Sequence, residues 1–161
     1  MTHSPSAKAL VAVLTVSDTR TPADDESGRI CKELAIAAGH EVVAYEICPD
    51  EPARVEALCR SLAPKVDAIL LNGGTGIAPR DTTIEAVERL YNQRLDGFGE
   101  LFRMLSFAEI GPRALASRAS AGVFGRTLVV SMPGSSKAVH LAMEKLLAPE
   151  LGHLVGELKK T

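Results

Sequence analysis

The chain has 161 residues, of which 46% are hydrophobic, 24% charged and 4% aromatic, and 18 Lys and Arg against 20 Asp and Glu leave a formal net charge of −2. This is the length and composition of one folded domain, and it excludes a disordered chain, because so much apolar surface can be buried against the entropy of ordering. The charge balance excludes a general polyanion binder, and no apolar run approaches the ~20 residues of a membrane span, so neither nucleic acid nor a membrane is expected as a partner.

Residues 1–8 read as a flexible tail, and residues 9–158 as a single domain. Residues 9–17, a continuous apolar run, predict a strand buried on both faces. Apolar positions Ile30, Cys31, Leu34 and Ala38 recur at helical spacing over residues 27–38, with Gly39 as C-cap. Residues 40–47 predict a second strand. Asp50 and Pro52 then open a helix with Val55, Leu58, Cys59 and Leu62 on one face. Residues 66–71 predict a third strand, ending in Asn72-Gly73-Gly74-Thr75-Gly76. Thr82 and Glu85 have the spacing of a capping box before a helix carrying Ile84, Val87, Leu90 and Tyr91. A glycine loop at Gly97-Phe98-Gly99 leads into a short apolar helix over residues 100–107, and Pro112 starts another helical segment. Residues 127–131 predict a strand followed by Met132-Pro133-Gly134-Ser135-Ser136, and a last helix runs from Ser136 with Val139, Met143, Leu146 and Leu147 inward.

Repeated strand-then-helix units with uninterrupted apolar strands predict an α/β fold, three layers deep, with a mostly parallel sheet between helices. Ligands bind such sheets at the carboxyl ends of the strands. That rule selects the loops 17–26, 48–51, 72–81 and 132–136, all on one edge. Cys31, Cys48 and Cys59 are odd in number and widely spaced, which argues against a disulfide framework or a zinc site; thiols in a reducing cytoplasm are expected. Residues 9–14 lack a signal-peptide cleavage pattern, and a cytoplasmic location is expected.

The run Gly73, Gly74, Thr75 and Gly76 lets backbone N–H groups approach an anion without interference from a Cβ, although a glycine turn can also be purely structural. Asp81 is either a helix-start carboxylate or a group that holds Mg2+ and orients a phosphate. Asp50 has the same two readings, N-cap or ligand-edge carboxylate. Arg80 is either a phosphate partner or a solvated surface residue. Ser17 and Asp18 after the first strand, and Asp25 and Gly28 before its helix, either cap helices or face a nucleotide. Pro133, Gly134, Ser135 and Ser136 form a second anion-holding loop, to which Lys137 and Arg126 add charge if they are not simply exposed. Phe98 either packs in the core or meets a heterocycle. No Ser-His-Asp or Cys-His order supports covalent hydrolysis.

Taken together, Gly73-Gly74-Thr75-Gly76 with Pro79-Arg80-Asp81, the loop Pro49-Asp50-Glu51, and Met132-Pro133-Gly134-Ser135 resemble the molybdenum cofactor biosynthesis domain. The stretch from Gly97 to Phe107, GFGELFRMLSF, with Glu109-Ile110-Gly111, is similar to the protein B branch of that family. The resemblance covers roughly residues 9–150. It implies a molybdopterin-binding-domain-like fold assembled as a homotrimer or homohexamer, together with other molybdenum cofactor biosynthesis proteins as partners. The implied activity is transfer of adenylyl from MgATP to molybdopterin, with release of pyrophosphate. On this resemblance Asp50 and Asp81 are the catalytic and Mg2+-placing residues. Gly73, Gly74, Thr75, Gly76 and Arg80 line the phosphate and pterin site, Pro133, Gly134, Ser135 and Ser136 hold an anionic end, and Ser17, Asp18, Asp25 and Gly28 complete the edge. Some members of the protein B branch lack the arginine–aspartate pair and do not adenylylate; this chain keeps Arg80-Asp81. The alternative is a non-catalytic molybdopterin-binding scaffold of the same family.

Overall fold

A computed structural model of the protein describes residues 7–161, so most of the expected tail, residues 1–6, lies outside the described residues. Six strands, β1 (Leu10–Val16), β2 (Glu41–Cys48), β3 (Ala68–Asn72), β4 (Gln93–Arg94), β5 (Ser120–Phe124) and β6 (Thr127–Met132), form one sheet in the order β2-β1-β3-β6-β5-β4. β2, β1, β3 and β6 run parallel, while β5 is antiparallel to β6 and β4 to β5. Helices α1 (Glu26–Ala37), α2 (Pro52–Leu62), α3 (Thr83–Glu88), α4 (Asp96–Ile110), α5 (Ser136–Ala142) and α6 (Ala148–Leu158) cover both faces, giving the three-layer α/β/α architecture. No helix among the described residues is long and apolar enough to cross a membrane.

The period-2 alternation of the central strands divides the interior into two cores. Val11, Val13, Leu70, Leu128 and Val130 face one side and pack with Cys31 of α1, Phe98 and Phe102 of α4, Val139 of α5 and Leu151 of α6. Ala12, Leu14, Ile69, Leu71 and Val129 face the other, against Val55 and Cys59 of α2 and Val87 of α3. Because β1, β3 and β6 are buried on both faces, their sequences are apolar but for Thr15, Asn72, Thr127 and Ser131. β2 lies at the edge, and its Glu41 and Glu46 are exposed, which discourages edge pairing with another chain. Cys31, Cys48 and Cys59 are buried free thiols; burial pushes Cys31 and Cys59 up to about 12, so they are poor nucleophiles at neutral pH.

Four local expectations are corrected. The Thr82–Glu85 capping box does not form: Thr82 makes no cap bond, because its hydroxyl and amide go to Asp50 and Glu85 pairs with Arg118. Asp50 is not the cap of α2; Glu51 holds that position, and it has no side-chain cap bond. Gly97, Phe98 and Gly99 are not a loop but the first turn of α4, and Phe98 is buried and stacked on Phe102 at 6.1 Å between centroids. The last helix is interrupted by a π-helical turn, Met143–Leu147, between α5 and α6. In addition, β4 and β5 are strands that the apolar-run criterion does not find, because β4 has only two residues and β5, SAGVF, is small and mixed.

The chain leaves β1 toward β2 on one side and returns to β3 on the other. The carboxyl ends of β1 and β3 therefore flank the switch in strand order, where open α/β sheets bind ligands.

Candidate active site

The loop after β3 is built by positive-φ glycines. Gly73 (φ 109°) donates its N–H to Met132 O at 2.9 Å, and any side chain there would collide with the Val16 carbonyl. Gly74 (φ 69°) leaves a niche in which a methyl would strike Thr83 Oγ1 and lie 2.8 Å from Asp50 Oδ2. Gly76 has no positive φ; its missing side chain makes room for Asp81, whose Oδ2 would sit 2.8 Å from a methyl there. Thr75 is buried, and its carbonyl accepts from the Arg118 amide at 2.9 Å. The two expected carboxylates thus rest against the two glycines that flank Thr75.

Asp50 is half-buried and accepts from the Thr82 hydroxyl at 2.7 Å and the Thr82 amide at 3.3 Å, both through Oδ1. Asp81 Oδ2 accepts from the Ala78 amide at 2.9 Å and closes the turn 78–81. Beside Asp50, the Thr83 hydroxyl is wholly buried and has no hydrogen-bond partner. A buried orphan hydroxyl costs about 1–3 kcal/mol unless something else completes it. Among the described residues no three His, Cys, Asp or Glu side chains gather into a metal cage. Asp50 and the Thr83 hydroxyl at the Gly74 niche, with Asp81 against Gly76 two residues on, are nevertheless oxygen donors of the kind that suits a hard cation taking the rest of its oxygens from a phosphate ligand, the usual pattern for Mg2+.

Asp18 links the neighbouring loops. Its Oδ1 accepts from the Asp50 amide at 2.9 Å and its Oδ2 pairs with Arg80. The Arg80 guanidinium, followed by the Asp50 amide, holds its carboxyl below the usual carboxylate range. Arg80 is exposed and is therefore placed to exchange Asp18 for another anion. Ser17 spends its Oγ within its own turn, accepting from the Thr19 and Arg20 amides at 3.2 and 3.0 Å.

Asp25 takes the first of its two readings, as the N-cap of α1 accepting from the Gly28 amide, and both residues lie beneath the floor of the site and not on the edge that the resemblance implies. The Asp25 side chain is completely buried and accepts from Thr15 Oγ1 at 2.6 Å, the Gly28 amide at 3.1 Å and the Tyr45 hydroxyl. Burial pushes its pKa up, but the bonds from Thr15, Tyr45 and Gly28 and the charge of Arg20 outweigh that and hold it below the usual range. Gly28 is required by this packing, since a methyl would strike Asp25 Oδ2 and lie 2.7 Å from Thr15 Oγ1. The network continues from Thr15, which accepts from Asn72 Nδ2 at 3.0 Å, to Ser27, which donates to Asn72 Oδ1 at 2.8 Å.

The loop after β6 closes the edge. A methyl on Gly134 would lie 3.2 Å from Gly73 Cα, so the two loops are in contact. Ser135 caps α5 by accepting from the Ala138 amide at 3.2 Å, and Ser136 is the first helical residue. Pro133 and Gly134 are half-buried and Lys137 is exposed beside them. Arg126 does not belong here: it lies between β5 and β6, at the opposite end of β6.

A cavity of about 540 Å³ adjoins the glycine loop, lined by Glu85, Glu88, Arg94, Arg103, Ser117, Arg118 and Ser120 among others. Arg118 joins cavity and loop: its Nε donates to Gly76 O and its Nη2 to Asp81 O, each at 2.9 Å, and it pairs with Glu85. Arg118 holds Glu85 below the usual carboxylate range. Arg103 donates to Ala119 O at 2.9 Å beneath it. None of these residues is selected by looking after parallel strands. They precede β5, which runs antiparallel, so its beginning lies at the edge where the parallel strands end; Ser120 pairs with Ser131.

Residues 12–153 match the family described as a probable molybdopterin binding domain. The chain is 53% identical over 151 residues to molybdenum cofactor biosynthesis protein B of Bacillus subtilis (92% of this chain, 89% of that protein). It is 54% identical over 153 residues to the protein of the same name from Staphylococcus carnosus (92% and 90%). Among solved structures, a molybdenum cofactor biosynthesis protein B superposes with a TM-score of 0.93 at 47% identity, covering 98% of this chain and all of that one. The tungsten cofactor synthesizing protein MoaB from Pyrococcus furiosus superposes at 0.84 with 34% identity, over 95% and 98% of the two chains. The chain belongs to the molybdopterin-binding-domain family, in its molybdenum cofactor biosynthesis protein B branch.

Proposed function

We propose that this protein acts in molybdenum cofactor biosynthesis by transferring the adenylyl group of MgATP to molybdopterin. The observation that carries the reading is the pairing of Asp50 with Gly74 and of Asp81 with Gly76 at the switch point, next to the orphaned Thr83 hydroxyl. In the reaction, an oxygen of the terminal phosphate of molybdopterin bonds to the α-phosphorus of ATP. The bond from that phosphorus to the bridging oxygen breaks, and pyrophosphate leaves with the electron pair. Such transfers need positioning and charge neutralisation more than a protein nucleophile.

Asp50 and Asp81 would hold Mg2+, which would neutralise phosphate charge. Gly73, Gly74, Thr75 and Gly76 let phosphate approach the backbone, and Arg80 turns from Asp18 toward the same charge. Pro133, Gly134, Ser135 and Ser136 bound the anionic end of a ligand. The cavity beside Arg118 has the volume of a small-molecule site and a lining in which charged groups alternate with Ile84, Leu95 and Leu115, and it takes the part of the substrate that does not react. Self-association belongs to the same reading: Leu101, Met104, Phe107, Ile110 and Leu115 are all exposed, between 47% and 88%, on α4 and the turn after it. An apolar surface of that kind on one element marks an interface, here of a homotrimer or homohexamer.

Incubation with each substrate alone and with both together tests the reading. Pyrophosphate release that requires molybdopterin supports it. Tight molybdopterin binding with no pyrophosphate, under conditions where an authentic adenylyltransferase turns over, makes the protein a binding scaffold instead.

A further inference from the structure

We infer that Arg20 is a positioning residue that sets the distance between the loop after β1 and the loop after β6, and through it the shape of the phosphate edge. This rests on the proposed adenylyl transfer for its kinetic consequence but not for its structural one. Arg20 lies in the middle of the loop after β1, and 35% of its side chain is exposed. One arm of its guanidinium, Nη1, donates to Ser27 Oγ, and the other, Nη2, donates to Gly134 O at 2.9 Å. The second bond spans 114 residues of sequence and is, among the described residues, the only side-chain hydrogen bond between these two loops.

Compensation of the buried Asp25 charge does not account for this geometry. Arg20 Nη1 is 3.6 Å from Asp25 Oδ1, whereas Thr15, Tyr45 and the Gly28 amide already supply Asp25 with close donors. The well-formed bonds of Arg20 go to Ser27 and Gly134. Ser27 is itself fixed, because it donates to Asn72 Oδ1 at 2.8 Å, and Asn72 immediately precedes the glycine loop. Gly134 in turn rests on Gly73, whose amide is bonded to Met132 O. The rigid fork of Arg20 therefore measures the gap between a fixed point under the glycine loop and the backbone of the Pro133–Gly134 turn. Two donors held in one plane at a fixed separation are what arginine provides and lysine, a single point charge, does not.

Wild-type protein, Arg20→Lys and Arg20→Ala are compared by amide hydrogen exchange at residues 73, 138 and 139, by melting temperature, and by kinetics with varied MgATP at saturating molybdopterin. Lysine keeps a positive charge near Asp25 but cannot bridge Ser27 and Gly134. The expected result is exchange of the Gly73, Ala138 and Val139 amides, bonded to Met132 O, Ser135 Oγ and Ser135 O, faster by about ten-fold or more in both variants, with R20K melting closer to wild type than R20A. KM for MgATP rises about ten-fold in both, while kcat stays within about two-fold. If R20K matches wild type in exchange and KM, Arg20 serves only the charge of Asp25 and the inference is overturned; so it is if R20A changes the melting temperature alone. Should the wild-type protein show no turnover, the adenylyl-transfer reading fails, and the exchange comparison still decides the role of Arg20.

Discussion

A single methyl group tests the floor of the site. Gly28→Ala would strike Asp25 Oδ2 and crowd Thr15, both held in a buried hydrogen-bonded network, so the side chains must shift or lose bonds. Overpacking of this kind costs about 1–3 kcal/mol, and chemical denaturation should show it as a lower midpoint with an unchanged slope. Gly74→Ala adds an unfavourable left-handed φ to its collision with Thr83 and should destabilise at least as much. Asp50→Ala and Asp81→Asn act on chemistry in place of packing. Each should lower kcat about 10²-fold or more while the circular dichroism spectrum and melting curve remain near wild type; equal turnover in either variant removes that residue from the catalytic assignment. At this scale the sequence made Asp50, Asp81 and the glycines legible, because residue types that serve phosphate chemistry recur after strands. It could not separate surface from floor: Asp25 and Asp18 are both aspartates in one loop, and only packing shows that Tyr45 and Thr15 enclose the first while Arg80 reaches the second. The role of Arg20 is not legible for the same reason, since its partners are 7 and 114 residues away.

At the scale of elements, the strands buried on both faces are the most legible, since their interiors are apolar apart from Thr15, Asn72, Thr127 and Ser131 at or next to the strand ends. The second half of the site was not, because β5 enters the sheet in the opposite direction and brings Ser117 and Arg118 to the ligand edge from before a strand. β5 also has a sharp packing constraint: a methyl on Gly122 would run into the Tyr91 ring. Gly122→Ala should therefore cost about 1–3 kcal/mol, lowering the melting temperature by about 2–4 °C per kcal/mol for a domain of this size. The start of the sheet carries a pH dependence. His40 is buried and its Nδ1 accepts from the Ala9 amide at 3.0 Å, and burial lowers its pKa from the ordinary value of about 6.5. As pH falls below that value the unfolded chain takes up a proton before the folded one does. His40 therefore favours folding fully above about pH 6.5, and that contribution declines as pH falls toward its lower folded pKa. Melting temperature should drop between pH 7.5 and 5.5 in wild type, and His40→Asn should flatten that part of the profile. A steeper slope in the variant would contradict the assignment.

The whole molecule is a slightly acidic domain, and the phosphate ligands proposed for it require no general positive field. In the proposed reaction glycine-loop amides, a few arginines and the divalent cation would supply positive potential where it is needed, so a net charge of −2 is no obstacle. The exposed apolar residues of α4 and the following turn predict that the protein is not a monomer at micromolar concentration. Met104→Glu with Phe107→Glu should shift the mass measured by light scattering to that of one chain, and an unchanged oligomer would place the interface elsewhere. The most direct test of the central claim is a product assay on the full chain with purified molybdopterin and ATP bearing a labelled α-phosphate. Adenylyl transfer predicts label in a molybdopterin adduct, one pyrophosphate released per adduct, and loss of both in Asp81→Asn. Molybdopterin bound without labelled adduct, or label appearing equally in Asp81→Asn, would contradict it.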